Sequence, residues 1–419
     1  MGAGSDPSAA GRAMPQQAAE GAPEAEVTFE KLVYGGSGLA RLDRRVILAP
    51  FVLPGETARI AIAGERSGLA EGTMKAIVTP AAQRVDPACP FFYRCGGCHY
   101  QHAAYQLQLE QKRAILAETL QRIGKFAPPA DIPVVSGEPW GYRNRTQFHL
   151  DDGRIGYFGL GTHALVSVDR CPISSKKINQ TLAALREMVR DRRWPRFVRS
   201  VELFTDESAV QLFVRETEQP VARRFFEWCA EQMPGYAPGA IDYAVGTERY
   251  RVSRGSFFQV NRYLVGPLVD LALDGSEGET ALDLYSGAGL FTLPLARRFK
   301  HVAAVESGSG AVRDLEHNVR EAGLKVRVHR AATEAYLEAL DTPPDFVLAD
   351  PPRAGLGKSA VRSLLRVKPR RIHIVSCDPA TLARDLAALI GGGYRLDKLT
   401  LIDLFPQTFH IESVAVLTL

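Results

Sequence analysis

The sequence predicts a multidomain α/β protein built from three successive regions. The chain has 419 residues, too many for one ordinary domain, and its 46% hydrophobic and 23% charged residues are typical of globular proteins. Short strand-like segments separated by glycine and proline fill the N-terminal region, whereas apolar strands alternate with helices in the C-terminal region. A mixed α+β region that opens with a group of cysteines lies between them.

The N-terminal region begins after a tail, residues 1–25, whose Ala, Gly, Pro, Ser and Gln content predicts disorder. Residues 26–82 contain four short strand-like segments, with turn signals at Gly35-Gly36 and Pro54-Gly55. So short a region of short strands predicts a small OB-like β-barrel. Such a barrel can present a sheet face to nucleic acid, although many barrels of this kind do not.

The central region, residues 83–265, combines one long helix with several strands. The helix is predicted for AAYQLQLEQKRAILAETLQRIG, in which apolar residues recur at helical spacing up to Gly124. Further along, residues 186–199 contain six arginines and only two acidic residues. This basic face can neutralise phosphates or can be an ordinary solvated helix surface, and the sequence leaves both interpretations open. The arginines are Arg186, Arg190, Arg192, Arg193, Arg196 and Arg199.

Overall charge and hydropathy say little about partners. Lys and Arg number 51 and Asp and Glu 47, so the formal charge of 51 − 47 = +4 does not decide for or against nucleic acid. No apolar run approaches the roughly 18 residues that cross a bilayer, and the N-terminal tail lacks the apolar core of a signal peptide. We therefore expect a cytoplasmic monomer that does not enter a membrane and has no obligate protein partner.

The C-terminal region, residues 266–419, opens with the pattern of a cofactor site. A strand carrying Asp283 leads into a turn with Gly287 and Gly289, and the next strand ends in Glu306, where an acid can bind ribose hydroxyls. A dinucleotide site usually has a third glycine, but Thr292 stands at that position. An acidic turn suits a cation, so the pattern favours S-adenosylmethionine. The alternative is a glycine turn that only packs a helix on a strand.

Candidate catalytic residues follow or precede the later strands, where open α/β sheets bind ligands. The motif DPPR at 350–353 follows one strand, Cys377 follows the next, and Glu412 precedes the last. A cysteine beside a methyl donor is required when the acceptor is C5 of a pyrimidine, because this carbon is a weak nucleophile. A thiolate must first add to C6, and a base must later remove the C5 proton. Cys377 and Glu412 fit these roles. The alternatives are a buried structural cysteine and an ordinary surface glutamate.

Four of the six cysteines form a pattern that suggests a metal site. Cys89, Cys95, Cys98 and the distant Cys171 are spaced C-x5-C-x2-C…C, and without an export signal a disulfide framework is not expected. Four thiolates suit either zinc or an iron–sulfur cluster. Three clustered cysteines with one remote ligand favour a [4Fe–4S] cluster. A zinc site and four unrelated cysteines remain as alternatives.

Four segments together resemble a known family. DLYSGAGLFTLPLA, DPPRAG, IVSCDPATLARD and DLFPQTFHIES are similar to the bacterial 23S rRNA uracil-5-methyltransferases of the RumA/RlmD type, and the resemblance extends from about residue 26 to the end. It implies a TRAM barrel at 26–82, an RNA-binding domain at 83–265 and a Rossmann-like class I methyltransferase domain at 266–419. It also favours ribosomal RNA over tRNA as the substrate.

The same resemblance implies roles for individual residues. Cys377 would be the nucleophile and Glu412 the proton acceptor, and the four cysteines would hold a structural [4Fe–4S] cluster. Leu290 and Thr333 stand where the family often has asparagine, and a leucine side chain cannot form a hydrogen bond. The positions similar to cofactor-site positions of the family are Gln259, Tyr285, Glu306 and Asp350.

Three other functions remain compatible with the motifs. An N-methyltransferase would use the DPPR motif on an exocyclic amine and would need no thiol. A cytosine C5-methyltransferase would also use a thiol. From a different class, the chain could be an iron–sulfur RNA-binding protein without catalytic activity.

Overall fold

The computed structural model describes residues 22–66 and 68–419, so most of the predicted tail, residues 1–25, lies outside the described residues. The chain divides into two units. One comprises the described residues up to 104 together with 157–166, and the other comprises 105–156 and 167–419. The domain boundaries predicted after residues 82 and 265 stay predictions.

The first unit contains a closed barrel of five strands in the order β1-β2-β3-β5-β4. Buried and exposed residues alternate along β1, as expected where one face of a strand covers a core. The N-terminal barrel expected from the sequence is therefore confirmed, and its first strand begins at Glu24. A 3₁₀ turn (Phe92–Arg94) follows the barrel. The strands are β1 (Glu24–Leu32), β2 (Ser37–Leu42), β3 (Arg45–Pro50), β4 (Thr57–Arg66) and β5 (Leu69–Thr79).

The second unit begins with a helix and a five-stranded sheet of order β11-β10-β7-β8-β9. The segment 157–166, which includes the end of β8 and the start of β9, groups with the first unit. The elements are α1 (Tyr105–Thr119), β6 (Val134–Val135), β7 (Arg145–Asp151), β8 (Arg154–Phe158), β9 (Leu165–Ser167), α2 (Lys176–Met188), β10 (Val198–Thr205), β11 (Val210–Thr217), α3 (Arg223–Gln232), and the hairpin β12 (Ile241–Val245) and β13 (Glu248–Val252).

An eight-stranded sheet of order β16-β15-β14-β17-β18-β20-β19-β6 forms the rest of the second unit. The first five strands in this order are parallel, whereas β20 runs antiparallel to both β18 and β19. The elements are α4 (Val265–Ala272), β14 (Thr280–Leu284), α5 (Thr292–Arg298), β15 (His301–Glu306), α6 (Ser309–Glu321), β16 (Val326–Arg330), α7 (Thr333–Glu338), β17 (Phe346–Ala349), α8 (Gly357–Val367), β18 (Arg371–Ser376), α9 (Pro379–Gly391), β19 (Arg395–Ile402) and β20 (Glu412–Thr418).

The apolar strand sequences explain the position of this sheet. All four residues of β17 are buried, as expected for a parallel strand that is covered on both faces. From β14 the chain first proceeds outwards through β15 to β16 and then returns to β17 on the other side of β14. Ligands of open α/β sheets bind beyond the carboxyl ends of the strands where the strand order reverses in this way. The doubly wound sheet is thus confirmed.

The described helices give no support for a membrane-spanning segment. Within residues 22–66 and 68–419, no helix combines the length and the apolar composition needed to span a bilayer. The cytoplasmic location and the monomeric state stay predictions.

Candidate active site

Cys377 and Glu412 lie opposite one another at one edge of the eight-stranded sheet. The pairing of β18 with β20 ends at Ser376 and Ser413, so Cys377 and Glu412 each lie one residue beyond this last pair, on the same side. The side chain of Cys377 is partly exposed, whereas Glu412 is buried. Two residues that are distant in sequence are therefore neighbours because of strand pairing alone.

A cleft of about 960 Å³ opens beyond the carboxyl ends of the parallel strands. Its walls include both predicted catalytic residues and five of the seven residues predicted to bind a cofactor. Asp283 and Gly289 are absent from its lining. The predicted residues that line the cleft are Gln259, Tyr285, Gly287, Glu306, Asp350, Cys377 and Glu412.

The turn after β14 leaves room for a ligand on one side and packs on the other. Gly287 and Gly289 both have positive φ, 54° and 94°, as does Tyr285 at 59°. A Cβ on Gly287, which lines the cleft, would meet no atom within 4 Å. A Cβ on Gly289 would lie 2.7 Å from Cδ1 of Leu315. Gly287 therefore allows a close approach to the backbone, while Gly289 allows α6 to pack against the turn.

Glu306 and Asp350 line the cleft from the two strands that flank β14. Glu306 ends β15, and its Oε2 accepts a hydrogen bond from the backbone N–H of Gly287 at 3.0 Å. Its Oε1 accepts another from the backbone N–H of Gly308. Asp350 follows β17, and the Nε2 of Gln259 lies 3.5 Å from its Oδ2. These contacts fix carboxylates at the sheet edge, where cationic or hydroxyl groups of a ligand could meet them.

Three acids around the cleft have raised pKa values. Burial raises the pKa of Asp283 to about 7, against the effect of a hydrogen bond from Thr292, and the charges of Asp350 and Glu306 raise it further. Asp350 keeps some contact with solvent, yet burial raises its pKa to about 7. Burial, followed by the charge of Asp350, holds the pKa of Glu412 well above its usual range. A cation would stabilise the charged forms of all three.

The same surroundings keep the Cys377 thiol neutral. Burial raises the pKa of Cys377 to about 12, and the charges of Glu412 and Asp350 act in the same direction. The guanidinium of Arg353, which also lines the cleft, opposes them. Because only a thiolate is strongly nucleophilic, positive charge added to the cleft would favour the more reactive form of Cys377.

Helix α9 holds the two segments that carry Arg353 and Cys377. Asp378, directly after Cys377, caps the helix by accepting hydrogen bonds from the N–H groups of residues 380 and 381 at 3.0 and 2.9 Å. The hydroxyl of Thr381 donates to the carbonyl of Arg353 at 3.1 Å. Asp385 accepts from the N–H of Leu356 at 2.7 Å. The helix thus orders both segments of the cleft wall at once.

Phe257 lines the cleft as well, and sequence analysis did not single it out. Its side chain is 62% exposed, whereas its neighbour Phe258 is 2% exposed and packs in the core. Adjacent phenylalanines in a loop carry no periodic signal that separates the exposed one from the buried one. Phe405 and His410 also line the cleft, with ring centroids 5.5 Å apart.

The two positions that depart from the family pattern have different surroundings. Leu290 is buried in the core, and its carbonyl accepts a hydrogen bond from the hydroxyl of Tyr250 at 3.0 Å. Its contribution is therefore packing and backbone structure. Thr333 begins α7 and lines the cleft.

The metal site predicted at Cys89, Cys95, Cys98 and Cys171 gains no support from the structure. Cys98 is buried and the other three are partly buried. Over the part of the chain that the structure describes, no group of three or more His, Cys, Asp or Glu residues is arranged to hold a metal ion. The spacing of the cysteines and the family resemblance are therefore all that favours a cluster.

Comparisons with known proteins agree with this geometry. A family model described as tRNA (Uracil-5-)-methyltransferase matches residues 244–419. An uncharacterized RNA methyltransferase of Aquifex aeolicus is 33% identical, covering 94% of this chain and 98% of that protein. The 23S rRNA (uracil(1939)-C(5))-methyltransferase RlmD of Aeromonas hydrophila is 31% identical, with 96% and 98% covered.

A solved structure extends the likeness to the whole fold. The tRNA (uracil-54, C5)-methyltransferase of Pyrococcus abyssi, crystallised with S-adenosyl-L-homocysteine, superposes with a TM-score of 0.73 at 26% identity. The match covers 94% of this chain and 100% of that one.

Proposed function

The chain belongs to the S-adenosylmethionine-dependent RNA (uracil-5-)-methyltransferase family, and we propose that it methylates C5 of a uridine in 23S rRNA through a covalent bond between Cys377 and C6. The observation that carries the proposal is the placement of Cys377 opposite Glu412 in one cleft. Family membership sets aside the N-methyltransferase, the cytosine enzyme and the non-catalytic RNA-binding protein.

The residues of the cleft fit S-adenosylmethionine, which supplies an electrophilic methyl group when bound. The open side of Gly287 accommodates an adenosyl group against the backbone. Glu306 accepts two backbone hydrogen bonds, and a carboxylate has acceptor sites left for ribose hydroxyls. Asp283 has one buried oxygen, Oδ1, without a hydrogen-bond partner among the described residues. Together with Asp350, it favours a ligand that carries positive charge.

In the first step, Sγ of Cys377 adds to C6 of the uracil ring. The new S–C6 bond uses the sulfur electron pair, and the C5=C6 π electrons move to C5 and the C4 carbonyl oxygen. The sulfur first loses its proton to solvent, which is disfavoured in the free cleft, so Arg353 and a bound cation must lower the pKa of Cys377. C5, now an enolate carbon, takes the methyl group as the donor's sulfur–methyl bond breaks.

In the second step, Glu412 removes the proton that remains on C5. The C5–H electron pair restores the C5=C6 double bond, the S–C6 bond breaks, and Cys377 leaves as a thiolate. The raised pKa of Glu412 makes its carboxylate a stronger proton acceptor than a solvated carboxylate. Glu412 needs no contact with Cys377 to do this, only a position on the C5 side of the same ring.

Variants of the two residues separate the steps. We expect Cys377→Ala to abolish turnover and to form no covalent complex with RNA, because no thiol can add to C6. We expect Glu412→Gln to add and methylate but not to eliminate, so that RNA stays covalently bound and migrates with the protein on a denaturing gel. Normal turnover by Cys377→Ala, or normal turnover without a shifted band for Glu412→Gln, would contradict the assigned roles.

The raised pKa values of the acids predict a pH-dependent affinity for S-adenosylmethionine. Asp350 and Asp283 are largely protonated below about pH 7 in the free protein, whereas a bound cation lowers their pKa values. Binding therefore releases protons below about pH 7, and affinity should rise with pH up to about pH 7, by up to about tenfold per pH unit for each proton released, and level off above it. Calorimetry in buffers of different ionisation enthalpy measures the affinity and the number of protons released.

Two controls accompany this measurement. S-adenosylhomocysteine lacks the sulfonium charge and should show a weaker rise in affinity with pH. Asp350→Asn removes one of the titrating groups and should flatten the profile. An affinity for S-adenosylmethionine that is independent of pH would contradict the electrostatic role of these acids.

The arginine cluster of the central region is a candidate surface for RNA. Five of its six members are exposed, and three of these form ion pairs with acidic neighbours: Arg190 with Glu187, Arg193 with Asp191, and Arg199 with Glu218. In the described part of the chain, no ion pair is formed by Arg192 or Arg196. These two therefore carry charge that remains available for phosphates.

We expect the double variant Arg192→Glu/Arg196→Glu to weaken RNA binding and to reduce the slope of log K against log salt concentration by about 2, one unit for each lost phosphate contact. Fluorescence anisotropy over a salt series measures the slope. The matched control is Arg223→Glu/Arg224→Glu, which makes the same charge change on the exposed face of α3. An equal effect of both double variants would show only a general charge effect.

Two relatives favour different RNA substrates. The Aeromonas hydrophila relative, aligned over nearly the whole chain, is named as a 23S rRNA enzyme, whereas the Pyrococcus abyssi structure is that of a tRNA enzyme. We expect cells without this protein to lose 5-methyluridine from one position of 23S rRNA and to keep it in tRNA. Mass-spectrometric mapping, with rescue by wild type but not by Cys377→Ala, measures this. A loss confined to tRNA would select the alternative substrate.

The reaction proposed here involves no iron–sulfur cluster. The [4Fe–4S] cluster at the four cysteines stays a prediction from their spacing and from the family resemblance, and we assign it no step.

A further inference from the structure

Helix α1 directs a polar face into the protein interior. Tyr105, Gln108 and Lys112 share one side of the helix because they follow one another at helical spacing. Gln108 is 1% exposed and Lys112 is 0% exposed. Burying an amide or an ammonium group is unfavourable unless it has partners, so the partners indicate what this face does.

Tyr105 and Lys112 both bind the loop that joins β19 to β20, residues 403–411. Lys112 Nζ donates to Oδ1 of Asp403 at 2.6 Å and to the carbonyl of Phe405 at 2.9 Å. The hydroxyl of Tyr105 donates to the other carboxylate oxygen of Asp403 at 2.9 Å. The side chains of Lys112 and Asp403 are both 0% exposed, so solvent does not screen their attraction.

Gln108 binds the same loop further along. The backbone N–H of Gln407 donates to Oε1 of Gln108 at 3.0 Å, and Nε2 of Gln108 donates to Oε1 of Gln407 at 3.0 Å. Gln407 has φ of 68°, in the left-handed region that residues with a side chain rarely adopt. An unfavourable backbone conformation that several contacts hold in place is typical of functional segments.

This loop forms part of the cleft and leads to Glu412. Ile402 pairs with Glu412 across β19 and β20, so the loop leaves the sheet and returns to it at the same point. Phe405 and His410, which belong to the loop, line the cleft. A change in the loop conformation would therefore move the residue that begins β20.

We propose that Gln108 and Lys112 are positioning residues, which hold the β19–β20 loop so that the Glu412 carboxylate faces the C5 proton of the bound uridine. The inference rests on the proposed function, since it assumes that Glu412 is the proton acceptor. Stability alone does not require these groups, because buried ion pairs can often be replaced by apolar side chains without loss of stability. Their directional hydrogen bonds select one loop conformation.

The test compares Gln108→Met with Gln106→Met, which changes an exposed glutamine of the same helix that donates a hydrogen bond to Glu110. For Gln108→Met we expect kcat to fall by about tenfold or more, with KM for RNA and Kd for S-adenosylmethionine within about twofold of wild type. A denaturation-resistant RNA complex should accumulate during turnover, as for Glu412→Gln. Gln106→Met should behave as wild type.

RNA with 5-fluorouridine at the target position gives a second readout. Its C5 carries fluorine in place of the proton, so thiol addition and methyl transfer proceed and no base can complete elimination. Gln108→Met should form this trapped complex at the wild-type rate. The double variant Lys112→Met/Asp403→Leu, which leaves no unpaired buried charge, should show the same behaviour as Gln108→Met.

The outcomes separate this inference from the proposed function. Normal turnover by Gln108→Met, while Glu412→Gln accumulates the complex, overturns the positioning role alone. Slow trapping of 5-fluorouridine RNA, or a joint loss of thermal stability and S-adenosylmethionine binding, also overturns it, because the effect would not be on proton removal. Normal turnover by Glu412→Gln without accumulation overturns the proposed function and this inference together.

Discussion

The antiparallel pairing of β20 with β18 is the constraint on which the candidate active site depends. In a wholly parallel sheet, the residue that begins a strand lies at the opposite edge from the residue that ends its neighbour. Because β20 runs against β18, its first residue, Glu412, reaches the edge where Cys377 follows β18. A register shift of one residue would turn the Glu412 side chain to the other face of the sheet. The proposed catalytic pair is thus a consequence of topology and register.

Electrostatics then determines when this pair can act. Burial raises the pKa of Cys377 to about 12, and the charges of Glu412 and Asp350 act in the same direction, so the free protein favours a neutral, weakly nucleophilic thiol. The same acids attract a sulfonium, and once a cation is bound they are compensated. In the proposed mechanism, one arrangement of charge therefore favours a cationic methyl donor and disfavours the thiolate until that donor is bound.

Much of this architecture could be predicted from sequence because its signals are local. Apolar runs indicated the strands, and the residue types at the ends of those strands indicated Cys377 and Glu412. Other features depend on tertiary contacts that no local pattern encodes. The two-residue strand β6 pairs with β19, which is distant in sequence, and segment 157–166 groups with the barrel unit although its neighbours in sequence do not. Phe257 and Phe258 differ in exposure for the same reason.

Helix α1 shows most clearly why sequence patterns are incomplete. Its apolar residues correctly predicted a helix, but the same pattern assigns Gln108 and Lys112 to solvent, whereas the structure buries both. Apolar contacts would hold the helix in place with little preference for one loop conformation, since they are not directional. The β19–β20 loop begins with the buried carboxylate of Asp403 and has Gln407 at its centre in an unfavourable backbone conformation. The loop therefore needs hydrogen-bond partners of defined geometry. We therefore attribute the burial of polar groups on α1 to the loop that they bind, since in the proposed mechanism this loop must hold the residue after it facing a reacting carbon.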